Sequence, residues 1–358
     1  MTEILKAPFP YFGGKSKVAP VVWRAFGDVR HYIEPFFGSG AALLGRPQPF
    51  DGVETINDAD GMVANFWRAL QHDPEQTAHW LDWPVNENDL TARHIWLVNR
   101  KESLQVKLEG DPDYYDAKIA GWWCWGMCCW IGSGWCSGDG PWQSMDGEIV
   151  NTKEMGVRRK LVHLGDAGRG VNRQRVHLNH FGQGVHQSPR ADTCAERTAY
   201  LVGYMQSLAD RLRHVRVCCG DWKRVLSSET TLKTFSPTAV FLDPPYAHSE
   251  RDSGLYAVEM KVATEVREWA IAHGDDPAVR IALCGYDGEH VIPDDWTEYA
   301  WKANGGYGGQ NKAEKAGRGE INRRRERLWF SPHCLPLEAE TPMETLFALN
   351  MAESEAAE

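Results

Sequence analysis

The chain contains no apolar run of the roughly 18–20 residues that a bilayer-spanning helix needs. Its most apolar stretch, Trp122–Ile131, is shorter than that and runs straight into a glycine turn. No association with a membrane is therefore expected. At the N-terminus, MTEILKAPFPYFGGK meets charge, proline and glycine before any apolar run forms, so no secretory signal is expected either. Cysteine lacks a framework pattern. Nine of them, an odd number, scatter irregularly over 358 residues, which fits reduced thiols in a cytoplasm better than disulfides. There is no internal repeat and no GxGxxG fingerprint. Positive charge is not in excess: the formal net charge of −10 argues against a protein that coats nucleic acid indiscriminately, while leaving room for a local basic groove.

What is present is α/β patterning around a different middle. The length suggests about two domains, or one large domain with an insertion. RHYIEPFFGSGAALLG reads as a strand, a glycine-rich turn and a helix start; VETIND reads as a second strand, and MVANFWRALQ as a helix. Residues 75–120 read as mostly helical and acidic. Between Lys153 and Arg190 eight basic residues (Lys153, Arg158, Arg159, Lys160, Arg169, Arg173, Arg175, Arg190) face only Glu154 and Asp166. Regular patterning then returns: Leu201, Tyr204, Met205, Leu208, Leu212 and Val215 fall at helical spacing, and VRVCCGDW, TAVFLDPPY and VRIALCGYDG read as strands. EYAWKANGGYGG and RRERLWFSP are expected to pair as antiparallel strands around a basic glycine loop. From Glu338 onward six glutamates occur without lysine or arginine, the composition of a disordered tail.

VFLDPPYAHS is the most informative segment. A buried strand delivers Asp243 to its carboxyl end, where open α/β sheets bind ligands. Pro244 and Pro245 fix φ and remove two backbone donors, leaving the Asp243 carboxylate and the Pro244 carbonyl as acceptors beside the flat face of Tyr246. Two acceptors beside a ring suit a planar group bearing an NH2, such as the amino edge of a base. A strand ending in a proline-rich turn is the plain alternative. By composition, however, this tetrad should arise in on the order of one chain in a thousand.

IEPFFGSGAALL is a second signal. Gly38 and Gly40 let backbone pass close to a ligand, and Glu34 ends the strand, placed for a cation or a hydroxyl. Asp58 ends the next strand about twenty residues on, where a carboxylate typically takes ribose hydroxyls. PFPYFGGKSK is the third: Gly13 and Gly14 present Lys15 beneath Tyr11 and Phe12. Taken singly, a glycine turn, a turn aspartate and a surface lysine would explain these equally well.

In this order, PYFGGK, EPFFGSGA, ND and DPPY resemble the Dam-like (D12 class) DNA adenine-N6 methyltransferase family, over roughly residues 6–72 and 195–334. The resemblance implies an α/β, Rossmann-like methyltransferase fold, a mixed seven-stranded sheet with helices on both faces, carrying an inserted DNA target-recognition domain. The expected division is 1–74 and 195–335 for the two catalytic parts, 75–194 for the insertion and 336–358 for the acidic tail. It also implies S-adenosylmethionine as cofactor, S-adenosylhomocysteine as product, and no metal. Tyr11, Gly14, Lys15, Glu34, Phe36, Gly38, Gly40, Asp58 and Asp243 would form the cofactor site, with Tyr11 standing where the family often has tryptophan. Asp243, Pro244, Pro245 and Tyr246 would be catalytic.

Adenine N6 lies inside a duplex, so the base must be flipped out at a cost of roughly a few kcal/mol. Stacking on Tyr246 would return about 1–3 kcal/mol. The basic insertion, with Arg158, Arg159, Lys160, Arg169, Arg173 and Arg175, and the late loop, with Lys312, Lys315 and Arg318, are the expected phosphate contacts on double-stranded DNA. The expected partner is double-stranded DNA, and the expected protein is a monomer or weak dimer in the cytoplasm of a bacterium or phage-infected cell.

Three readings compete with adenine methylation in DNA. Cytosine-N4 methylation is disfavoured because such enzymes more often carry serine first in the tetrad and the opposite motif order. Adenine methylation of RNA stays open, since the tetrad does not name its nucleic acid. A non-catalytic DNA-binding protein is disfavoured by the intact tetrad. The GATC site is not implied either: the Asn-Gly-x-x-Arg stretch of GATC readers is absent, and CWIGSGWC occupies roughly its place. In GWWCWGMCCWIGSGWCSGDGPW, Cys124, Cys128, Cys129 and Cys136 lack zinc-site spacing. A buried helix ending at the glycine turn, with Trp135 or Trp142 placed to reach DNA, is the expectation there.

Overall fold

In the computed structural model the described residues are 5–11, 14–47, 50–130, 135–136, 142–145, 148–151, 194–246, 253–301 and 325–337. Five strands run parallel, and the two nearly continuous apolar runs among them, TAVFL and VRIALCGY, take that place because both of their faces are covered. The parallel strands are β1 (His31–Glu34), β2 (Val53–Asp58), β5 (Val215–Cys219), β6 (Thr238–Leu242) and β7 (Val279–Tyr286). Two further strands, β8 (Thr297–Ala300) and β9 (Glu326–Phe330), pair antiparallel, and β9 also pairs antiparallel with β7. The order is β5-β2-β1-β6-β7-β9-β8. A separate antiparallel hairpin joins β3 (Trp142–Met145) to β4 (Glu148–Asn151).

Alternation along the strands divides the core. Ala239 and Phe241 on β6 and Ala282 and Cys284 on β7 belong to one apolar cluster, with α1 (Ala19–Phe26), α2 (Ala41–Leu44), α3 (Gly61–His72) and α8 (Cys194–Leu212). Val240, Leu242, Ile281 and Leu283 belong to a second, with Leu232 of α9 (Glu229–Thr234) and Val266 and Ala270 of α10 (Ser253–Gly274). Helices therefore cover both faces of a mixed seven-stranded sheet, the arrangement expected of a Rossmann-like methyltransferase fold. The strand order reverses between β1 and β6. Their carboxyl ends lie side by side at this switch point, the usual ligand position in such sheets.

Four more helices follow α3: α4 (Pro74–Leu81), α5 (Glu87–Val98), α6 (Lys101–Gly110) and α7 (Ala117–Cys129). Helix α7 is the tryptophan- and cysteine-rich stretch. Its N-cap Asp116 accepts from Ile119 N at 2.9 Å, and Asp116 and Asn65 of α3 exchange bonds of 2.8 and 2.9 Å. Trp123, Cys124, Trp125, Cys128 and Cys129 are buried. Phe9 meets Trp123 edge-on at 4.8 Å and Phe66 of α3 at 5.2 Å, which joins the stretch to the core beneath the sheet. Burial pushes the Cys124, Cys129 and Cys136 thiols up, so they pack as small apolar groups. Among the described residues no group of three or more His, Cys, Asp or Glu is arranged to hold a metal ion, and no helix is long and apolar enough to cross a membrane.

Trp135 corrects one expectation. It is buried, and its indole N–H donates to Trp123 O at 3.0 Å, so it folds back on α7 instead of reaching outward. The side chain of Trp142 lies outside what is described. The fold-back needs Gly126, because a Cβ built there overlaps the Trp135 ring. Gly126→Ala is therefore expected to destabilise the protein by about 1–3 kcal/mol. Gly203→Ala, on an exposed turn of α8 with nothing within 4 Å of the added carbon, should instead be neutral or stabilising, by up to about 1 kcal/mol. Thermal unfolding of the two variants side by side checks this.

Candidate active site

Three parallel strand ends and the loop before α1 build the site. Phe37–Gly40, after β1, turns sharply into α2, with Gly38 at φ 49° and Gly40 at φ 70°, both in the left-handed region. Gly38 is held at both backbone groups: its N–H donates to Asp58 Oδ2 at 2.9 Å, and its carbonyl accepts from Trp67 Nε1 at 2.9 Å. The Tyr11 ring lies against Gly38, so that a Cβ there would stand 2.6 Å from it. Tyr11 is otherwise exposed.

Asp58, at the end of β2, is half-buried. Its second oxygen accepts from Asp60 N at 2.8 Å. Burial pushes its carboxyl up to about 7, against the pull of those two backbone donors. Asn57, buried beside it, donates to Pro35 O at 3.1 Å and Gly220 O at 2.9 Å, stapling the turns after β1 and β5 together.

Asp243 follows β6. One oxygen makes an ion pair with Lys15 Nζ at 2.8 Å, and the other accepts from the Tyr246 hydroxyl at 2.9 Å. Lys15 is almost fully buried. Burial would lower it, but Asp243, with Cys284 and Glu326 nearby, outweighs burial and holds the ammonium above its ordinary range. Its Nζ stands 5.3 Å from the Tyr246 ring centre and 5.9 Å from that of Trp301. Tyr286 of β7 packs edge-on against Tyr246 at 4.6 Å. Pro244 is buried and Pro245 exposed.

The structure thus brings Lys15, Asp243 and Tyr246 into one bonded group, and Tyr11, Gly38 and Asp58 into another. Gly14 lies within the first loop, its Cβ position 3.5 Å from Tyr11 O, and Gly40 turns the chain into α2. Glu34 is turned inward instead: it is 2% exposed, and its carboxylate accepts from the Tyr32 hydroxyl at 2.7 Å. Burial pushes it well above the carboxylate range. Phe36 is half-buried and packs toward Trp222, centroids 6.2 Å apart. Arg158, Arg159, Lys160, Arg169, Arg173, Arg175, Lys312, Lys315 and Arg318 lie outside the described residues, as does Gly13.

Sequence reasoning did not single out Glu326, whose Oε2 stands 3.1 Å from the Tyr246 hydroxyl, nor Trp67, Cys284 and Trp301 around the same groups. The one available signal for Glu326 was an acid inside the arginine run NRRRER, at the start of a strand.

No curated protein matches the chain. A family model does match: residues 11–108, a span holding the Tyr11–Lys15 loop, the Gly38–Gly40 turn and Asp58, fit the D12 class N6 adenine-specific DNA methyltransferases. With the sheet order and the tetrad at the end of β6, that match supports a Dam-like, S-adenosylmethionine-dependent DNA adenine-N6 methyltransferase.

Proposed function

We propose that the protein transfers a methyl group to N6 of an adenine flipped out of double-stranded DNA at a specific sequence, and that Asp243 at the β1–β6 switch point carries the reading. Its two oxygens are already held by Lys15 and Tyr246, and each keeps a further lone pair for an amino proton. The Pro244 carbonyl takes the second amino proton. Accepting both protons draws the N6 lone pair out of conjugation with the ring, which makes it nucleophilic. Lys15 balances the carboxylate charge in a nearly water-free position, so the acceptor is organised before substrate arrives.

S-adenosylmethionine, when bound, supplies a sulfonium methyl: the N–C bond forms as the C–S bond breaks, and its electron pair stays on sulfur. Asp243 receives the proton that the methylated amino group sheds. Tyr246 offers its ring to the base, and positioning supplies most of the remaining acceleration. The donor set suits the cofactor. Asp58 has lone pairs left for ribose hydroxyls, Gly38 lets a ligand approach the backbone, and Tyr11 and Phe36 flank the turn. Glu34 supports this site from beneath, through Tyr32. The basic residues from Arg158 to Arg175 and from Lys312 to Arg318 grip phosphates, within a target-recognition region spanning residues 75–194.

Asp58 gives the cofactor site a pH dependence. With the carboxyl at about 7, its charged form, the stronger acceptor for hydroxyls, fills in between pH 6 and 8. S-adenosylhomocysteine should therefore bind more tightly at pH 8 than at pH 6, and Asp58→Asn should flatten that difference, as read by calorimetry. The ligand-free protein should move oppositely. A carboxyl raised from its ordinary 3.8 to about 7 contributes stability that is fully present below the lower value and lost as pH rises through the upper one.

The overall reading is tested by incubating the protein with labelled S-adenosylmethionine and duplex DNA, with RNA alongside. Label in adenine of the duplex is expected; label confined to cytosine or to RNA contradicts it.

A further inference from the structure

Glu326 opens β9, where it pairs with Tyr286 of β7, and its flanking arginines point elsewhere. Arg327 bonds to Glu298 at 2.9 Å and Asp287 at 3.1 Å, whereas Glu326 is 4% exposed and turned into the site. A carboxylate here is costly. It is out of water and close to Asp243, a second carboxyl; burial first, then Asp243, push its proton affinity up, and they outweigh the opposing pull of the Lys15 ammonium and the Tyr246 hydroxyl. The Tyr246 hydroxyl contacts both acids, Asp243 Oδ1 at 2.9 Å and Glu326 Oε2 at 3.1 Å. One hydroxyl proton serves one of these contacts only. Lys15 occupies Asp243, so the second proton belongs on Glu326. The chain of donors then runs from the Glu326 carboxyl to the Tyr246 oxygen, and from the Tyr246 O–H to Asp243.

We propose that Glu326 is a positioning residue for methyl transfer: by donating to the Tyr246 oxygen it aims the Tyr246 hydroxyl at Asp243 and fixes the ring beside the acceptor pair. The inference rests on the methyltransferase reading, and on Asp243 and Tyr246 acting as described. Glutamine, which always carries a donor, can replace Glu326; leucine, of similar size without one, cannot.

The groups facing Glu326 are Lys15 from the N-terminal loop, Asp243 and Tyr246 after β6, Cys284 on β7 and Glu289 in the turn after it. Of these, Lys15 and Tyr246 are both held above their ordinary values. Raising the pH through the upward-shifted range of Glu326 strips its proton and removes its donor, so transfer in the wild type should slow on the high-pH side of that loss.

The test uses the full chain with duplex DNA and reads single-turnover transfer against pH, together with S-adenosylhomocysteine affinity. Glu326→Leu should slow transfer about 10–100-fold, with cofactor affinity within about threefold of wild type. Glu326→Gln should keep the neutral-pH rate and lose the alkaline decline. In a Tyr246→Phe background, Glu326→Leu should cost less than about twofold more, because its route is already cut.

A wild-type rate in Glu326→Leu, a glutamine variant as slow as leucine, or a full further loss in the Tyr246→Phe background overturns the proposal. Should the leucine variant not fold, the alkaline limb decides alone: it must vanish in Glu326→Gln, and its persistence overturns the proposal. A wild-type protein that methylates no adenine fails the methyltransferase reading itself, which is a separate result.

Discussion

Asp243→Asn should lower the rate of methyl transfer into duplex DNA by at least about 100–1000-fold, the loss typical when a preorganised acceptor or donor of a reacting group is removed. Asparagine is nearly the same size, so packing against Cys284 and Tyr246 survives. One of its two termini now donates, however, and meets either the Lys15 ammonium or an N6 proton, donor against donor. The Lys15–Asp243 contact is a buried ion pair, and removing one partner leaves the other uncompensated. Both Asp243→Asn and Asp243→Ala should therefore lose stability, but asparagine keeps the size and one acceptor and should lose less, which makes it the cleaner variant. The expected pattern is a fall in single-turnover rate larger than any change in S-adenosylhomocysteine affinity, with the protein still folded and its melting temperature lowered less than in Asp243→Ala. Transfer by Asp243→Asn within tenfold of wild type would remove the acceptor role.

The largest effect on folding is expected at Glu54, far from the chemistry. Glu54 on β2 is buried between two arginines: Arg46 Nη1 reaches it at 3.0 Å, and Arg211 of α8 at 2.6 and 2.8 Å. Arg46 also donates to Val29 O at 2.6 Å and stacks on Phe50, with 3.5 Å between the guanidinium carbon and the ring centre. The triad fastens α8 and the turn after α2 to β2, one strand in from the sheet edge. Glu54→Ala strands two guanidinium groups without their counter-charge, which should cost about 3–5 kcal/mol. At roughly 2 °C or more per kcal/mol, the melting temperature should fall by about 10 °C. Replacing all three by apolar residues of similar volume should recover much of the loss, since the penalty lies in the unpaired charges. Chemical and thermal unfolding of the single and triple variants measure both expectations.

How much of this was legible in the sequence depends on whether a residue's surroundings are local. TAVFL and VRIALCGY announce themselves as buried strands because nearly every position is apolar, and Asp243 follows as the first polar residue after one of them. Asp58 was placed instead by its position, the carboxylate that closes β2 about twenty residues after the glycine turn. EYAW and ERLWF suggested an antiparallel pair, which β8 and β9 form.

What escaped depends on contacts distant in the chain. Glu326 faces Asp243 only because β9 pairs with β7, and its direction is fixed by the strand's period of two, counted from a register no local pattern reveals. Glu34 seemed placed for a ligand, but Tyr32, two residues earlier on the same strand face, takes its carboxylate inward. The tryptophans of α7 looked exposed to interpretation as a metal or DNA element. Gly126 admits Trp135 instead, a fold-back across nine residues that composition alone does not show.

The most direct test of the central claim is to sequence, with base-modification readout, duplex DNA treated with the protein and S-adenosylmethionine. The account predicts N6-methyladenine at a recurring sequence context, absent from DNA treated with Asp243→Asn. Methylcytosine in its place, or unmodified DNA from active-cofactor reactions with folded protein, would contradict it.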